Sequence, residues 1–361
     1  MKKILLKVCC SILLACLMMP AGPAMGAETA EKPVLLNTPA CFPLNLPGVN
    51  TSLKWVADNI EQASQGSLKM KLYEPGKLVD PLQVLGSVSK GAVNSGFSIS
   101  GYWEGTIPGA SIFSSIPFGP EAPEFLAWMY HGNGRKLYQK MYDDAGYDVH
   151  VIPLGLFCPE SAGWFLKPVN HPGDLKGMHI RFYGLGGKVL SRLGANVSLI
   201  PGGELFAALE KGVIDATEFS MPAIDSAMGF HKIAKFNYYP GWHQQATFFE
   251  LLINKQTWNA MSPYQQNILE ILCKAATLDT LAFTEAIQAK AMIDSREKHG
   301  VKIESLSDEI LAALKTAWNE EATELSGKSP MFKEAWEDLS GFRKTYEVWG
   351  QHGFLPRIKK E

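Results

Sequence analysis

Cysteine is scarce and badly placed for chemistry. Of six in 361 residues, Cys9, Cys10 and Cys16 lie at the extreme start, leaving Cys41, Cys158 and Cys273. An odd number of widely spaced thiols excludes a disulfide framework, and no CxxC pair offers a metal site. Catalytic signatures are missing too. There is no HExxH, and His231 and His243 stand at a spacing that no metal motif uses. Ser98 in GFSISG lacks the second glycine of a nucleophile elbow. Cys158, followed by Pro159 and Glu160, has no partnering His placed by sequence. These absences argue against an enzyme.

Basic blocks are absent as well. The first residues, MKKILLKVCCSILLACLMMPAGPAMG, carry Lys2, Lys3 and Lys7, an apolar run from Val8 to Met19, then Pro20 and Pro23. Ala24 and Gly26 occupy the −3 and −1 positions of a cut before Ala27, so residues 1–26 read as a secretory signal peptide, too short for a membrane span. A second reading stays open, in which LLAC ending at Cys16 is a lipoprotein cleavage box. Either way the mature chain is exported. Removing residues 1–26 takes three Lys and no acid, so 31 basic residues face 36 acidic ones and the net charge moves from −2 to −5. Nucleic acid and anionic membrane surfaces are therefore poor partners.

What is present alternates. Leu68–Tyr73, Val93–Ser100, Val149–Leu156, Gly163–Lys167, Met178–Phe182, Val197–Ile200 and Val213–Ala216 read as strands. Pro81–Ser89, Glu121–Ala145, Gly187–Leu193 and Leu205–Lys211 read as helices between them. Such alternation makes an α/β protein, and the length suits two lobes. After Trp258 the texture changes. Ser262-Pro263-Tyr264-Gln265 supplies an N-cap, Pro at N1 and Gln at N3, and neither Gly nor Pro recurs before Gly300. One long helix over 263–300 would act as a spine. Helices around Ser307–Leu325 and Pro330–Gln351 close the chain; the second carries Trp336, Phe342, Tyr346 and Trp349 as a packing stripe.

The stretch HIRFYGLGGK, residues 179–188, looks like a phosphate loop and is not one. Lys188 is followed by Val189 rather than Ser or Thr, and Val189 stands where a dinucleotide fingerprint needs its third glycine. Arg181 is the more telling residue. At the end of a short strand, beside a glycine-rich loop, it suits bidentate capture of a carboxylate.

The longer run DLKGMHIRFYGLGGKVLSRLGANVSLIPGGELFAALEKGVIDATEF resembles the DctP-type solute-binding proteins of TRAP transporters. YEPGKL with GAV, GYWEG, IPFG, AGWF, FHKIAKFNYYPGW and NKQTWNAMSP extend the likeness over residues 68–264. GLGG, PGGE and YYPGW look closest to the subfamily that binds 2-oxo acids and related small carboxylates with a cation. The resemblance implies a two-lobed α/β periplasmic binding protein with crossing strands and a long spine helix. Lobe I would take residues 27–153 plus about 240–262, lobe II residues 154–239, with 301–361 packing on the lobes or on a partner subunit. It implies no enzyme activity and no organic cofactor. Its partners would be a small carboxylate and the membrane permease subunits of a TRAP transporter.

Carried over by position, Arg181 resembles the carboxylate-pairing Arg. Tyr102, Trp103, Trp164 and Phe219 match wall positions. Glu160, Glu218, the Phe219 backbone and Glu250 match positions that hold Ca²⁺ or Na⁺. Two departures stand out: Glu160 replaces the usual Gln, and Phe219-Ser220-Met221-Pro222-Ala223 replaces a bulkier run. If the three glutamates meet at Arg181, the empty pocket carries about −2, a charge that a cation or the ammonium of an amino acid would offset. The sequence leaves open a cation-bridged 2-oxo or 2-hydroxy acid (aromatic ones included), an amino acid, an extracytoplasmic sensor role, and a homodimer across a two-fold.

Overall fold

Leu68–Tyr73 does form a strand, with Leu68 buried and Lys69 and Lys71 facing solvent. In the computed structural model, which describes residues 31–355, the chain runs β1 (Val34–Pro39), α1 (Thr51–Ala63), β2 (Leu68–Tyr73), α2 (Val84–Ser89), β3 (Ser95–Ser98), α3 (Ala122–His131), α4 (Gly134–Asp144), β4 (Val149–Phe157), β5 (Gly163–Phe165), β6 (His179–Arg181), α5 (Gly184–Arg192) and β7 (Asn196–Ser198). It continues through α6 (Leu205–Glu210), β8 (Ala216–Thr217), α7 (Pro222–Met228), β9 (Phe236–Tyr239), β10 (Thr247–Asn254), α8 (Lys255–Ala260), α9 (Pro263–His299), β11 (Lys302–Ser305), α10 (Asp308–Lys328) and α11 (Pro330–Gly353). The signal peptide and the Cys16 lipoprotein box lie outside the described residues.

The strands form three sheets. β1 and β2 pair in parallel, and Ala40, just past β1, bridges to Phe97 of β3. β10 lies between β3 and β4, antiparallel to both, with all eight residues buried. The six-stranded mixed sheet has the order β11-β9-β5-β8-β6-β7. Two connections cross beside the site. Residues 158–162 lead from β4 to β5, and residues 240–246 return from β9 to β10. They touch where they cross: Glu160 N–H donates to the Gln244 carbonyl at 3.1 Å, and a Cβ on Gly241 would lie 2.3 Å from the Glu160 oxygen. That crossing requires glycine at 241.

α9 is one unbroken helix of 37 residues, about 55 Å long. The Ser262 hydroxyl accepts from Gln265 N–H, the Gln265 side chain caps Ser262 in return, and Gly300 ends the helix at φ 65°. It packs along β4 and α1 and, farther on, against α7 and β11. The Thr277 hydroxyl accepts from Gly155 N–H of β4, and the Gln288 side-chain oxygen accepts from Ala223 N–H of α7.

Three sequence expectations change. Glu121–Ala145 is two helices, because Gly132 is extended at the end of α3 and packs on the Trp128 backbone. The expected strand Val213–Ala216 is displaced: only Ala216 belongs to β8, and the exposed Val213 lies in the bend after Gly212. The Gly184–Gly187 segment is the first turn of α5 rather than a loop. Gly186 sits against Phe182 and His243, and Gly187 against Val197, so the missing side chains let the helix lie close.

Candidate functional site

β6 and β8 are parallel neighbours in which Arg181 is opposite Thr217, so the next residue, Glu218, arrives beside Arg181. Both side chains are almost fully buried. Arg181 Nη1 donates to Glu218 Oε2 at 2.8 Å and to the Glu218 carbonyl, and Nε donates to the Ile200 carbonyl at 3.2 Å. The Phe219 ring lies 5.6 Å from the guanidinium. These contacts fix the guanidinium plane. Among the described residues none accepts from Nη2, so one edge of the fork faces the cavity with hydrogens to offer.

The cavity wall is built by Phe42, Val49, Ile99, Tyr102, Tyr183, Phe219 and Phe249, with Arg181, Glu160, Glu218, Ser220, Gln244 and Thr247 as its polar part. The space left among these side chains is small, about 30 Å³. Tyr102 is buried and its hydroxyl has no partner. Glu160, from the outgoing crossing segment, accepts from Gln244 Nε2 at 3.1 Å and Thr247 Oγ1 at 3.2 Å through Oε1, while Oε2 is buried without a partner. Gln244 Oε1 is likewise buried and unsatisfied. Bare acceptors in a dry pocket are costly unless something positive or hydrogen-bearing meets them.

The two acids are tuned apart. Burial, the Glu218 charge and the Asp225 charge push Glu160 well above the usual carboxylate range. Burial also works against Glu218, but the Arg181 charge, His243 and the Tyr183 N–H outweigh it and hold Glu218 below its ordinary value. Of the two, Glu218 is thus favoured as the anion and Glu160 as the more readily protonated group.

The structure brings together Arg181, Glu160, Glu218, Phe219 and Tyr102, and keeps three expected residues out of the lining. Glu250 is the clearest correction. It lies on β10 between Phe249, which lines the cavity, and Leu251; alternate residues point to opposite faces, so Glu250 turns away. There Oε1 accepts from Trp103 Nε1 at 2.9 Å, and Oε2 accepts from the Tyr138 and Tyr142 hydroxyls at 2.5 and 2.6 Å. Three donors thus hold its carboxylate in that network, outside the cavity lining. Trp103 belongs to that network and backs Tyr102, edge to face at 6.4 Å. Trp164 donates to Asp225 Oδ2 at 2.8 Å and packs near Phe230.

Sequence reasoning missed Gln244, Thr247, Tyr183 and His243. Glu160, Glu218 and His243 each place one donor atom within 4.8 Å of the others, although His243 Nε2 is 3.8 Å from Glu218 Oε1, beyond hydrogen-bond range. A signal did exist for Gln244 and Thr247: Gln244 lies two residues beyond YYPGW, and Thr247 opens the apolar run that forms β10.

Comparison with known proteins agrees with this geometry. The family model described as "Bacterial extracellular solute-binding protein, family 7" (DctP) matches residues 48–328. The chain belongs to the DctP family. These are periplasmic solute-binding proteins of TRAP transporters, not enzymes. A monocarboxylate 2-oxoacid-binding periplasmic protein of Nostoc sp. is 35% identical over 296 residues, covering 82% of this chain and 80% of the relative. Among solved structures, a TRAP periplasmic solute binding protein from Colwellia psychrerythraea with bound calcium and pyruvate is 31% identical with a TM-score of 0.84, covering 88% of this chain and 96% of that one. Another from Pseudoalteromonas atlantica, with bound sodium and pyruvate, is 29% identical with a TM-score of 0.85, covering 89% and 97%. The fold is accordingly the two-lobed α/β one of TRAP binding proteins.

Proposed function

We propose that this DctP-family protein captures a small 2-oxo monocarboxylate of pyruvate size in the periplasm and delivers it to the membrane subunits of a TRAP transporter. The observation that carries the reading is Arg181: a buried guanidinium held on one edge by Glu218, with the other edge open to a 30 Å³ space. The ligand carboxylate would bind Nη2, with Tyr102 O–H as a second donor. A space of about 30 Å³ is room for a water or two, so even pyruvate needs the wall side chains to shift as it binds.

The residues present fit a Ca²⁺ or Na⁺ ion. Glu160 and Glu218 lie close enough to share an ion, with His243 beside them, and Glu160 Oε2 and Gln244 Oε1 lack partners; with the Phe219 backbone these oxygens would suit a hard cation. Bound there, a cation supplies the positive charge that lets an anionic ligand sit beside two acids. With Glu250 turned away, Glu160 and Glu218 against Arg181 leave a formal charge of −1 when both are ionised, and a monocarboxylate makes it −2. Glu160 has to release its proton for cation binding, so cation affinity should rise with pH.

A thermal-shift panel on protein stripped of ligand by unfolding and refolding tests the reading. Stabilisation by pyruvate that disappears with EDTA, or in sodium-free buffer, is the expected result. Stabilisation by an amino acid that survives both would mean that the glutamates meet an ammonium. If the encoding gene sat beside a signalling membrane protein and no permease gene, the sensor role would replace delivery. A homodimer belongs to the same proposal: Val348, Trp349, Phe354 and Leu355 are exposed together at the end of α11, and light scattering on eluting protein should return twice the chain mass.

A further inference from the structure

Tyr183 is not explained by contact with a ligand alone. It precedes α5, one residue beyond the Phe182 that follows β6 of the six-stranded sheet, and is buried against the Ser100–Trp103 and Ala110–Phe113 turns, which follow β3 of the three-stranded sheet. Its hydroxyl accepts from Gly101 N–H at 3.0 Å and lies 2.7 Å from Ser114 Oγ. The Ser114 hydroxyl donates to the Ser111 carbonyl, so the Tyr183 hydroxyl is the donor in that second bond. Both its hydrogen-bonding faces are thereby used across the cleft. Tyr183 N–H donates to Glu218 Oε2 at 3.1 Å, the same oxygen that receives Arg181. The contact has no slack: a Cβ on Gly101 would lie 2.1 Å from the Tyr183 oxygen, and one on Gly184 2.8 Å from Ser111 Oγ. One turn farther along α5, Lys188 pairs with Glu104 at 3.0 Å, and Glu104 in turn accepts from Gly109 N–H, Ser111 N–H and the Ser111 hydroxyl.

We infer that Tyr183 is the positioning residue that ties the ligand-binding acid to closure of the cleft, with Lys188–Glu104 as its outer half. The inference rests on the proposed carboxylate site. A single residue holds Glu218 with its backbone and Gly101, the neighbour of Tyr102, with its side chain. The Arg181–Glu218 pair and the Tyr102 wall can therefore share their final geometry only when the Tyr183 hydroxyl is seated. The Tyr183 half of the latch is neutral and buried, so it acts after encounter: it slows escape without steering entry.

The test uses the full mature protein with pyruvate and Ca²⁺. Tyr183→Phe keeps the ring and removes the hydroxyl. Its dissociation rate should rise about tenfold, the equivalent of one net hydrogen bond, with the association rate within twofold. Dependence on Ca²⁺ should be unchanged, because Glu218 keeps its backbone donor. Lys188→Ala should give a smaller increase in the same direction. Gly101→Ala, whose methyl occupies the hydroxyl's place, should exceed Tyr183→Phe. Spin labels at the exposed positions 90 and 211 supply a second readout, in which Tyr183→Phe should depopulate the short distance in ligand-free protein. An unchanged dissociation rate together with an unchanged distance distribution would overturn the latch. Failure of the wild type to bind pyruvate would instead overturn the carboxylate site, and the spin-label comparison would still decide the latch.

Discussion

Arg181 illustrates how one side chain sets the chemistry of a pocket. Its Nη1 and Nε are consumed by Glu218 and Ile200, so what remains for a ligand is a single, oriented edge. Replacing it with Ala strands the Glu218 carboxylate in a dry site as well as deleting the anion contact. Calorimetry with pyruvate should show affinity reduced beyond 100-fold, and Arg181→Lys should recover little of it because a point charge lacks the planar fork. Retained affinity within a few-fold in the Ala variant would refute the assignment. Glu160 sets a second expectation. Held well above the ordinary carboxylate range by burial and the Glu218 charge, it must ionise when a cation binds. Ca²⁺ affinity of the wild type should strengthen from pH 6 to pH 8, while Glu160→Gln, having no proton to lose, should show a flatter profile and weaker preference for Ca²⁺ over Na⁺. Parallel pH profiles for the two proteins would rule out Glu160 as the linked proton.

At the scale of elements, the features legible in the sequence were those written in local chemistry. The α9 helix is announced by its capping box and stopped by Gly300, and both ends stand where the sequence placed them. Arg181 and Glu218 were legible through the family resemblance, which put both at the pocket, and the pairing of β6 with β8 brings them side by side. Glu250 was misplaced because its role depends on which face of β10 meets the cavity, and that register is set by pairing with β3 and β4, far away in sequence. β10 itself, buried on both faces, shows no alternation to read. Glu250 is therefore expected to matter to the sheet and not to the cation. Glu250→Leu leaves Trp103, Tyr138 and Tyr142 with buried donors unmatched, at a cost of about 3 kcal/mol. Denaturant unfolding should show that loss, and any pyruvate binding that remains should keep its cation requirement. A variant of native stability would mean that the network contributes nothing.

The whole molecule carries a pH dependence of unusual sign. Asp225, fully buried on α7, is pushed up to about 7, chiefly by burial and the Glu218 charge, although the Trp164 and Ser161 bonds oppose the rise. Glu160 and Glu250 are raised as well, both mainly by burial. A carboxyl with a folded pKa above its unfolded one holds a proton that the unfolded chain has lost. Its contribution to stability is complete below the unfolded value and disappears as pH rises through the folded one. For Asp225 that window runs from 3.8 to about 7. Glu270, paired with His150 and Arg135, moves the other way, to about 2, and its contribution is lost only as pH falls below the ordinary carboxylate range. For these raised acids the contribution to stability of ligand-free protein should decline from pH 5 toward pH 8. Asp225→Asn removes one proton from that balance while keeping an acceptor for Trp164, so its Tm should fall less than the wild type's between pH 5 and pH 8. Loading with Ca²⁺ and pyruvate should also flatten the wild-type decline, because the bound ion stabilises the ionised form of Glu160. A ligand-free Tm that climbs from pH 5 to pH 8 would show that these buried acids are already ionised in the folded protein, and with that the proton linkage of cation binding would fail too.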